Sequence, residues 1–375
     1  MRVIALFALF LVFAFPVYAQ KIKQTPAKQA LLLDFETGQV LFEKNSDQRM
    51  PTSSMSKVMT MYAIFEALKE GRISLNETFY VSEKAWKKGG SKMFVEAGTR
   101  VKIEDLIKGV IVQSGNDATI VLAEGLSGSE DEFAKLITER AQAIGMDSSN
   151  FVNASGWPEP NHYSTAKDLS VLARRIIEDF PEYYGYYSIK EFEYNGIKQR
   201  NRNPLLFKNI GVDGIKTGHT EIAGYGLIAS GERDGRRVIL VVNGLDSTRA
   251  RSQESARLME WGLKGFVNQK LVNKGTELKE IDVALGARKT VSVGTAEDIH
   301  LTLPLLDKEK AKIDLEYKTP LPAPIQKGDV VGTAKAVIPG YEKPIEYDLV
   351  ALENVSEAGF FKRGFAKTKM FFFGG

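Results

Sequence analysis

The chain has no cysteine, three histidines and a formal charge of only +3 over 375 residues. Each scarcity removes a class of function. Without cysteine there is no thiol nucleophile, no cysteine-held metal and no disulfide framework, which also fits an exported protein that needs none. His162, His219 and His300 are too scattered to suggest a metal cluster or a histidine-based triad, and no cofactor is implied. The near-neutral charge gives no reason to invoke nucleic acid. The apolar run at the amino terminus, Val3 to Phe15, is short for a bilayer span. It follows a lone charge at Arg2, and Val17-Tyr18-Ala19 puts small residues at the two positions a signal peptidase reads. Residues 1–19 therefore read as a cleaved secretory signal, with an uncleaved amino-terminal anchor as the other reading.

The stretch that organises the chain is Pro51-Thr52-Ser53-Ser54-Met55-Ser56-Lys57-Val58-Met59-Thr60, where a Pro/Ser/Thr-rich approach runs into a helical pattern. Val58, Tyr62, Phe65 and Leu68 recur at spacings of four, three and three before Gly71 closes the run. An i,i+3 pair places the Ser54 hydroxyl and the Lys57 amine on adjacent parts of one face, with Ser54 in the first turn, where the helix dipole favours developing negative charge. A serine hydroxyl becomes a nucleophile when a base takes its proton, and an amine can serve once desolvation or a neighbouring cation has lowered its pKa. Alone, the pair reads as a helix cap and a solvated lysine, as does a second Ser-x-x-Lys at Ser164 and Lys167. Other stretches change that reading.

Between Ala30 and Glu43 two strand-like runs flank a turn built on Gly38. Val101 to Val112 suits a buried helix and stops at Gln113-Ser114-Gly115-Asn116-Asp117, which sets a hydroxyl and an amide on a short connection before another helix, Ala118 to Leu126. Helical patterns follow at Glu130 to Ile144 and Thr165 to Phe180. The loop between them, Asn153 to His162, is a candidate cleft wall. After a hairpin signal at Tyr194-Asn195-Gly196 comes Gly214-Ile215-Lys216-Thr217-Gly218-His219-Thr220, where Lys216 offers positive charge, Thr217 a hydroxyl and Gly218 a close approach to strand backbone. Tyr225 to Ser230 and Arg237 to Asn243 form a hairpin, and Ser252 to Phe266 is helical. Strands first, helices between and strands late describe an α/β domain whose sheet is drawn from distant parts of the chain.

Composition shifts near Phe266, and six of the 13 prolines fall between Pro304 and Pro344. Alternation takes over at Ile281, Val283, Leu285, again at Ile299, Leu301, Leu303, and at Ile313, Leu315, Tyr317. The expected division is a catalytic domain at 20–267, a small all-β domain at 268–356 and an amphipathic tail at 357–375. As a helix that tail would align Phe360, Phe361, Phe365, Phe371 and Phe372 on one face, beside Lys362, Arg363 and Lys369, and would lie in a membrane interface.

Ser54-x-x-Lys57, Ser114-x-Asn116 and Lys216-Thr217-Gly218, in that order on helix, loop and strand, resemble the signature of the serine penicillin-binding proteins and β-lactamases. With Pro-x-Ser-Ser-Met-Ser-Lys-x-Met-Thr, Gly-Ile-Lys-Thr-Gly-His-Thr, the β-rich second domain and the tail, the chain resembles the low-molecular-mass serine-type D-alanyl-D-alanine carboxypeptidases nearly end to end. The resemblance implies an antiparallel sheet with helices on both sides and a peptidoglycan stem peptide ending in D-Ala-D-Ala as substrate. It also implies covalent binding of β-lactams and a site outside the cytoplasmic membrane, on its periplasmic face where there is one. Ser54 would be the acylated nucleophile, Lys57 the proton acceptor and Ser114 the relay to the departing D-alanine. Asn116 would bind the substrate amide or Lys57, Lys216 and Thr217 the substrate carboxylate, and His219 would give its backbone N–H to the oxyanion hole. Arg251, or else Arg249, would help hold the carboxylate. A β-lactamase shares all three motifs, but the Glu-x-x-Leu-Asn pattern of class A enzymes is not visible and Glu159 sits in a loop without it. Endopeptidase action on crosslinked stems stays open.

Overall fold

The computed structural model describes residues 24–359, so the expected signal and the tail from residue 360 onward lie outside the described residues. The main sheet has five antiparallel strands, β1 (Gln29–Asp34), β2 (Val40–Lys44), β3 (Val212–Thr220), β4 (Gly224–Arg233) and β5 (Arg236–Leu245). Their spatial order is β2-β1-β5-β4-β3, with Leu31 of β1 opposite Val241 of β5. The amino-terminal hairpin, ending at Lys44, thus completes a sheet whose other strands begin only at Val212. Asp234 and Gly235, at φ of 52° and 77°, make the tight turn between β4 and β5.

Successive side chains on a strand point to opposite faces, and each face here has its own core. Leu31, Ile228, Ile239 and Val241 pack with α1 (Lys57–Lys69), α2 (Ile103–Ile111), α3 (Asn116–Ser127), α4 (Glu130–Ala143) and α5 (Ala166–Asp179). Ala30, Leu32, Leu240 and Val242 pack instead on Leu258, Met259 and Leu263 of α6 (Thr248–Lys264). Fully burying one such aliphatic side chain stabilises the fold by roughly 1.5–3 kcal/mol, so this two-sided burial fixes the sheet as the platform of the site.

The helices fall where periodicity places them, with informative shifts. The apolar run at Val101 begins as a strand, Arg100–Lys102, paired with Thr78–Tyr80, and turns helical only at Ile103. Ser54 is not in the first turn of α1 but in a 3-10 turn, Ser53–Ser56, that leads into it. Thr165, not Ser164, caps α5 by accepting from the Asp168 N–H.

The carboxy-terminal part is all β. Phe266–Val272 pairs with Ile299–Pro304, and a six-stranded sheet runs from Lys279 to Ala351. Its contact with the first domain centres on the turn after β1. Gln39 exchanges two hydrogen bonds with the Thr302 backbone (2.8 and 3.1 Å), and Asn268 Nδ2 donates to Asp34 Oδ1 (3.0 Å) and Glu36 Oε2 (2.9 Å). At the far end Glu357 bridges to Gly286 and the Ala358 N–H donates to the Leu285 carbonyl. The β-rich part therefore reaches residue 358, and the helix expected from Glu357 cannot begin there. Among the described residues no helix is long and apolar enough to cross a membrane.

Candidate active site

Three elements converge at one end of α1. The 3-10 turn 53–56 lies against the free edge of β3, where contact is so close that a Cβ on Gly218 would stand 2.9 Å from the Thr52 carbonyl oxygen. The connection before α3 brings Ser114, the first residue of α3 is Asn116 rather than a loop position, and the loop after α4 brings Ser155 to Trp157. Backbone strain gathers here, since Ser53 (φ 50°) and Ser114 (φ 59°) both occupy the left-handed region that β-carbon-bearing residues avoid. Gly156, at φ +77°, has no alternative: a Cβ there would meet the Ser53 carbonyl oxygen at 1.7 Å.

Lys57 is wholly buried, and its Nζ has three partners: Ser54 Oγ at 2.8 Å, Asn116 Oδ1 at 2.8 Å and the Ser155 carbonyl at 2.6 Å. The orientation of the Asn116 amide is fixed because its Nδ2 donates to the Gly89 carbonyl at 2.9 Å. Burial is the main cause that brings the Lys57 amine down to about 7; Arg202 and Lys88 lower it further, while Asp117 acts the other way. The amine can therefore be neutral near neutral pH, with two N–H groups and one lone pair. Asn116 Oδ1 and the Ser155 carbonyl can only accept, so the lone pair is left for the one partner able to donate, the Ser54 hydroxyl.

Lys216 is buried on β3 and donates to Ser114 Oγ at 3.0 Å and to the Thr217 carbonyl at 3.1 Å. Desolvation first, then Lys57, Arg202 and Arg251, hold its amine well below its ordinary range. Thr217 is buried next to it, and His219 stacks on Tyr225 with centroids 3.8 Å apart. Arg251, on α6, is buried and reaches the Gly218 carbonyl at 3.4 Å; its Nε has no partner. Burial pushes its guanidinium down to about 10. A buried cation without a counter-ion is costly unless something completes it. Arg249, the other arginine considered, is exposed.

The expected residues thus form two linked groups, Ser54–Lys57–Asn116 and Lys216–Ser114, with Thr217, His219 and Arg251 alongside. Ser54, Asn116 and His219 line a cavity of about 590 Å³. Sequence reasoning passed over Arg202, whose guanidinium hydrogen-bonds Ser91 Oγ, and gave Asp117 no task. Asp117 is buried, and its carboxylate accepts from the backbone N–H groups of Met93, Phe94 and Val95, tying that loop to the start of α3. Neither carries a motif signal, because each acts through segments remote in sequence. His162 is buried too: its Nδ1 accepts from the Val152 N–H, so the neutral ring donates from Nε2 to Ser56 Oγ at 2.7 Å. Burial brings it down to about 4, with Lys57 adding to the effect. Among the described residues no acidic or histidine cluster could hold a metal ion.

Against known proteins, residues 17–247 match a family described as D-alanyl-D-alanine carboxypeptidase, peptidase family S11, and residues 266–357 match the penicillin-binding protein 5 C-terminal domain. The chain is 39% identical over 345 residues to the D-alanyl-D-alanine carboxypeptidase DacA of Haemophilus influenzae, covering 90% of this chain and 87% of that one. The crystal structure of the D-alanyl-D-alanine carboxypeptidase DacD from Francisella tularensis superposes with a TM-score of 0.81 at 31% identity, covering 89% of this chain and 95% of that one. Penicillin-binding protein D2 of Listeria monocytogenes, solved with ampicillin bound, matches at a TM-score of 0.59 and 32% identity over 64% of this chain and 98% of its own.

Proposed function

The chain belongs to the D-alanyl-D-alanine carboxypeptidase family and is a serine-type hydrolase of that class, and from this premise we propose how its residues release the terminal D-alanine of a peptidoglycan stem peptide. The observation that carries the assignment of roles is the Lys57 amine, whose lone pair is left to the Ser54 hydroxyl. As Ser54 Oγ attacks the penultimate D-alanine carbonyl, Lys57 takes its proton. The oxyanion is held by the backbone N–H groups of Ser54 and His219, a contribution of ~3 kcal/mol per donor. Lys57 then hands that proton on through Ser114, which is in contact with Lys216, to the leaving nitrogen; the C–N bond breaks and D-alanine departs, leaving the acyl-enzyme with Lys57 neutral again. Water then attacks the ester, losing its proton to Lys57, which passes it to the departing Ser54 Oγ, so that the hydroxyl and the neutral amine are both regenerated. Lys216, Thr217 and Arg251 hold the carboxylate of the terminal residue, and the buried unpartnered Nε of Arg251 supports that assignment over Arg249. Asn116 positions Lys57 and the substrate amide.

A β-lactam enters the same path, but its cleaved amide stays tethered, so the acyl-enzyme persists. No carboxylate among the described residues hydrogen-bonds Ser54 or Lys57, the place where a fast-deacylating β-lactamase would need one; the third Lys57 partner is the Ser155 main chain. The amino-terminal signal supports export, and the substrate class supports action outside the cytoplasmic membrane. The division into a catalytic part at 20–267 and a β-rich part at 268–356 is supported by family matches over residues 17–247 and 266–357.

The test is chemical. Mature protein incubated with penicillin gains one adduct mass on Ser54, Ser54→Ala gains none, and a pentapeptide ending in D-Ala-D-Ala loses one D-alanine where its L-Ala-L-Ala counterpart stays intact. Labelling at another serine, or equal cleavage of both peptides, overturns the reading; rapid penicillin turnover moves it to β-lactamase.

A further inference from the structure

A second cavity, about 610 Å³, opens beside the Ser54 cavity and is bounded by Arg49, Pro51, Ser53, Glu159 and Tyr163. Gly156, Trp157, Thr220 and Ile222 line both. The two spaces therefore form one trough with a waist, and the waist is apolar and open to solvent: Trp157 is 39% exposed and Ile222 74%. Large exposed apolar side chains lining a cleft are a feature of binding surfaces rather than of inert ones.

The strand β3 gives the trough a direction. Lys216 and Thr217, to which the carboxylate of the departing residue is assigned, precede His219 of the Ser54 cavity along the chain, and Thr220 and Ile222, which line both cavities, follow it. What leaves the cleft past Trp157 and Ile222 must then be the amino-terminal side of the substrate. Beyond the waist stands Arg49, its guanidinium 4.5 Å from the Tyr163 ring centroid. Stacking of this kind holds an arginine in place while leaving its donors free. Among the described residues no carboxylate pairs with Arg49, and Glu159 lines the same cavity without reaching it. Ser54 lies five positions after Arg49, at most about 18 Å of extended chain, a distance that a few substrate residues and a side chain can span.

We propose that this second cavity is a subsite for the amino-terminal part of the stem peptide, in which Arg49 receives a free carboxylate borne two or three residues before the cleaved bond while Trp157 and Ile222 flank the residue between. The assignment rests on the carboxypeptidase reading.

Three synthetic peptides ending in D-Ala-D-Ala test it: one acetylated on the residue before the two D-alanines, one extended by a γ-linked D-glutamyl residue with a free α-carboxylate, and one with that carboxylate amidated. Penicillin labelling counts the folded active sites in each variant. The wild-type enzyme is expected to favour the carboxylate over the amide in kcat/KM by roughly fivefold, the range of an exposed charge pair. Arg49→Gln should erase that preference, Glu159→Gln should enlarge it by removing a like charge, and Trp157→Ala should lower both longer peptides relative to the short one. An equal preference in wild type and Arg49→Gln overturns the subsite while leaving the reaction standing. Failure of the wild-type enzyme to release D-alanine from any of the three would instead refute the carboxypeptidase reading, and the subsite with it.

Discussion

Burial sets the state of Lys57, and the cations around it set how far. Desolvation lowers the amine to about 7, and Arg202 is the largest charge acting in the same direction. The neutral, proton-accepting form then grows as pH rises through 7, so kcat/KM climbs on an acid limb governed by this group. Arg202→Gln removes a positive neighbour, makes the amine easier to protonate and moves that limb to higher pH. Activity at pH 7 should fall by roughly two- to fivefold and recover toward the wild-type value near pH 9. A pH profile of D-alanine release decides it: an equal loss at both pH values would mean that Arg202 acts through its contact with Ser91 alone. The grouping of Ser54, Lys57, Ser114, Asn116 and Lys216 was legible because the three motifs set residue types at fixed spacings. Arg202 and Asp117 were not, because their contributions are a field and a set of backbone hydrogen bonds, which leave no spacing behind. The Ser155 contribution is a carbonyl oxygen, which any residue type supplies.

At the scale of elements, the site depends on places where the chain is held in unfavourable backbone geometry. Gly156 accepts φ +77° without cost, and its missing side chain lets the loop touch the Ser53 carbonyl, which in turn brings the Ser155 oxygen to Lys57. Gly156→Ala combines a disfavoured φ with a collision against backbone, so stability should fall by about 2 kcal/mol or more. Displacing the loop also takes the Ser155 acceptor from Lys57, and the second-order rate of penicillin acylation should fall by at least tenfold. Thermal unfolding and acylation kinetics on the same sample check both; an unchanged acylation rate would show that the carbonyl does not matter to the amine. Helix periodicity located α1 to α6 within a few residues, yet the 3-10 turn under Ser54 was read as helix. Such a turn has no apolar period of its own; the packing of Met55 against the β3 edge at Gly218 imposes it. Likewise Arg100–Lys102 is a strand because Thr78–Tyr80 lies beside it, a pairing no local pattern announces.

On the scale of the whole molecule, two domains meet at the turn after β1, and the chain then leaves from the β-rich domain. The alternation that marked that domain is seen in its cores, where Ile299, Leu301 and Leu303 pack together with Ala336 and Ile338. Its end is harder to read: Glu357 and Ala358 look like the start of the basic tail but are tied to the β-rich domain by a bridge to Gly286 and a hydrogen bond to the Leu285 carbonyl. Removing the tail without harming the fold therefore means cutting after Gly359 rather than after Ser356. The sequence beyond that point carries five phenylalanines on one face of a would-be helix together with Lys362, Arg363, Lys367 and Lys369. Each cation adds up to about 1 kcal/mol near anionic lipid, and a single interfacial helix holds less firmly than a span, so attachment should be peripheral and salt-sensitive. The protein ending at Gly359 is expected to label with penicillin as the full chain does and to appear in the soluble fraction, whereas the full chain pellets with membranes at low salt. If the shortened protein stays with the membrane in high salt, the tail is not the anchor, and attachment belongs to an uncleaved amino-terminal segment.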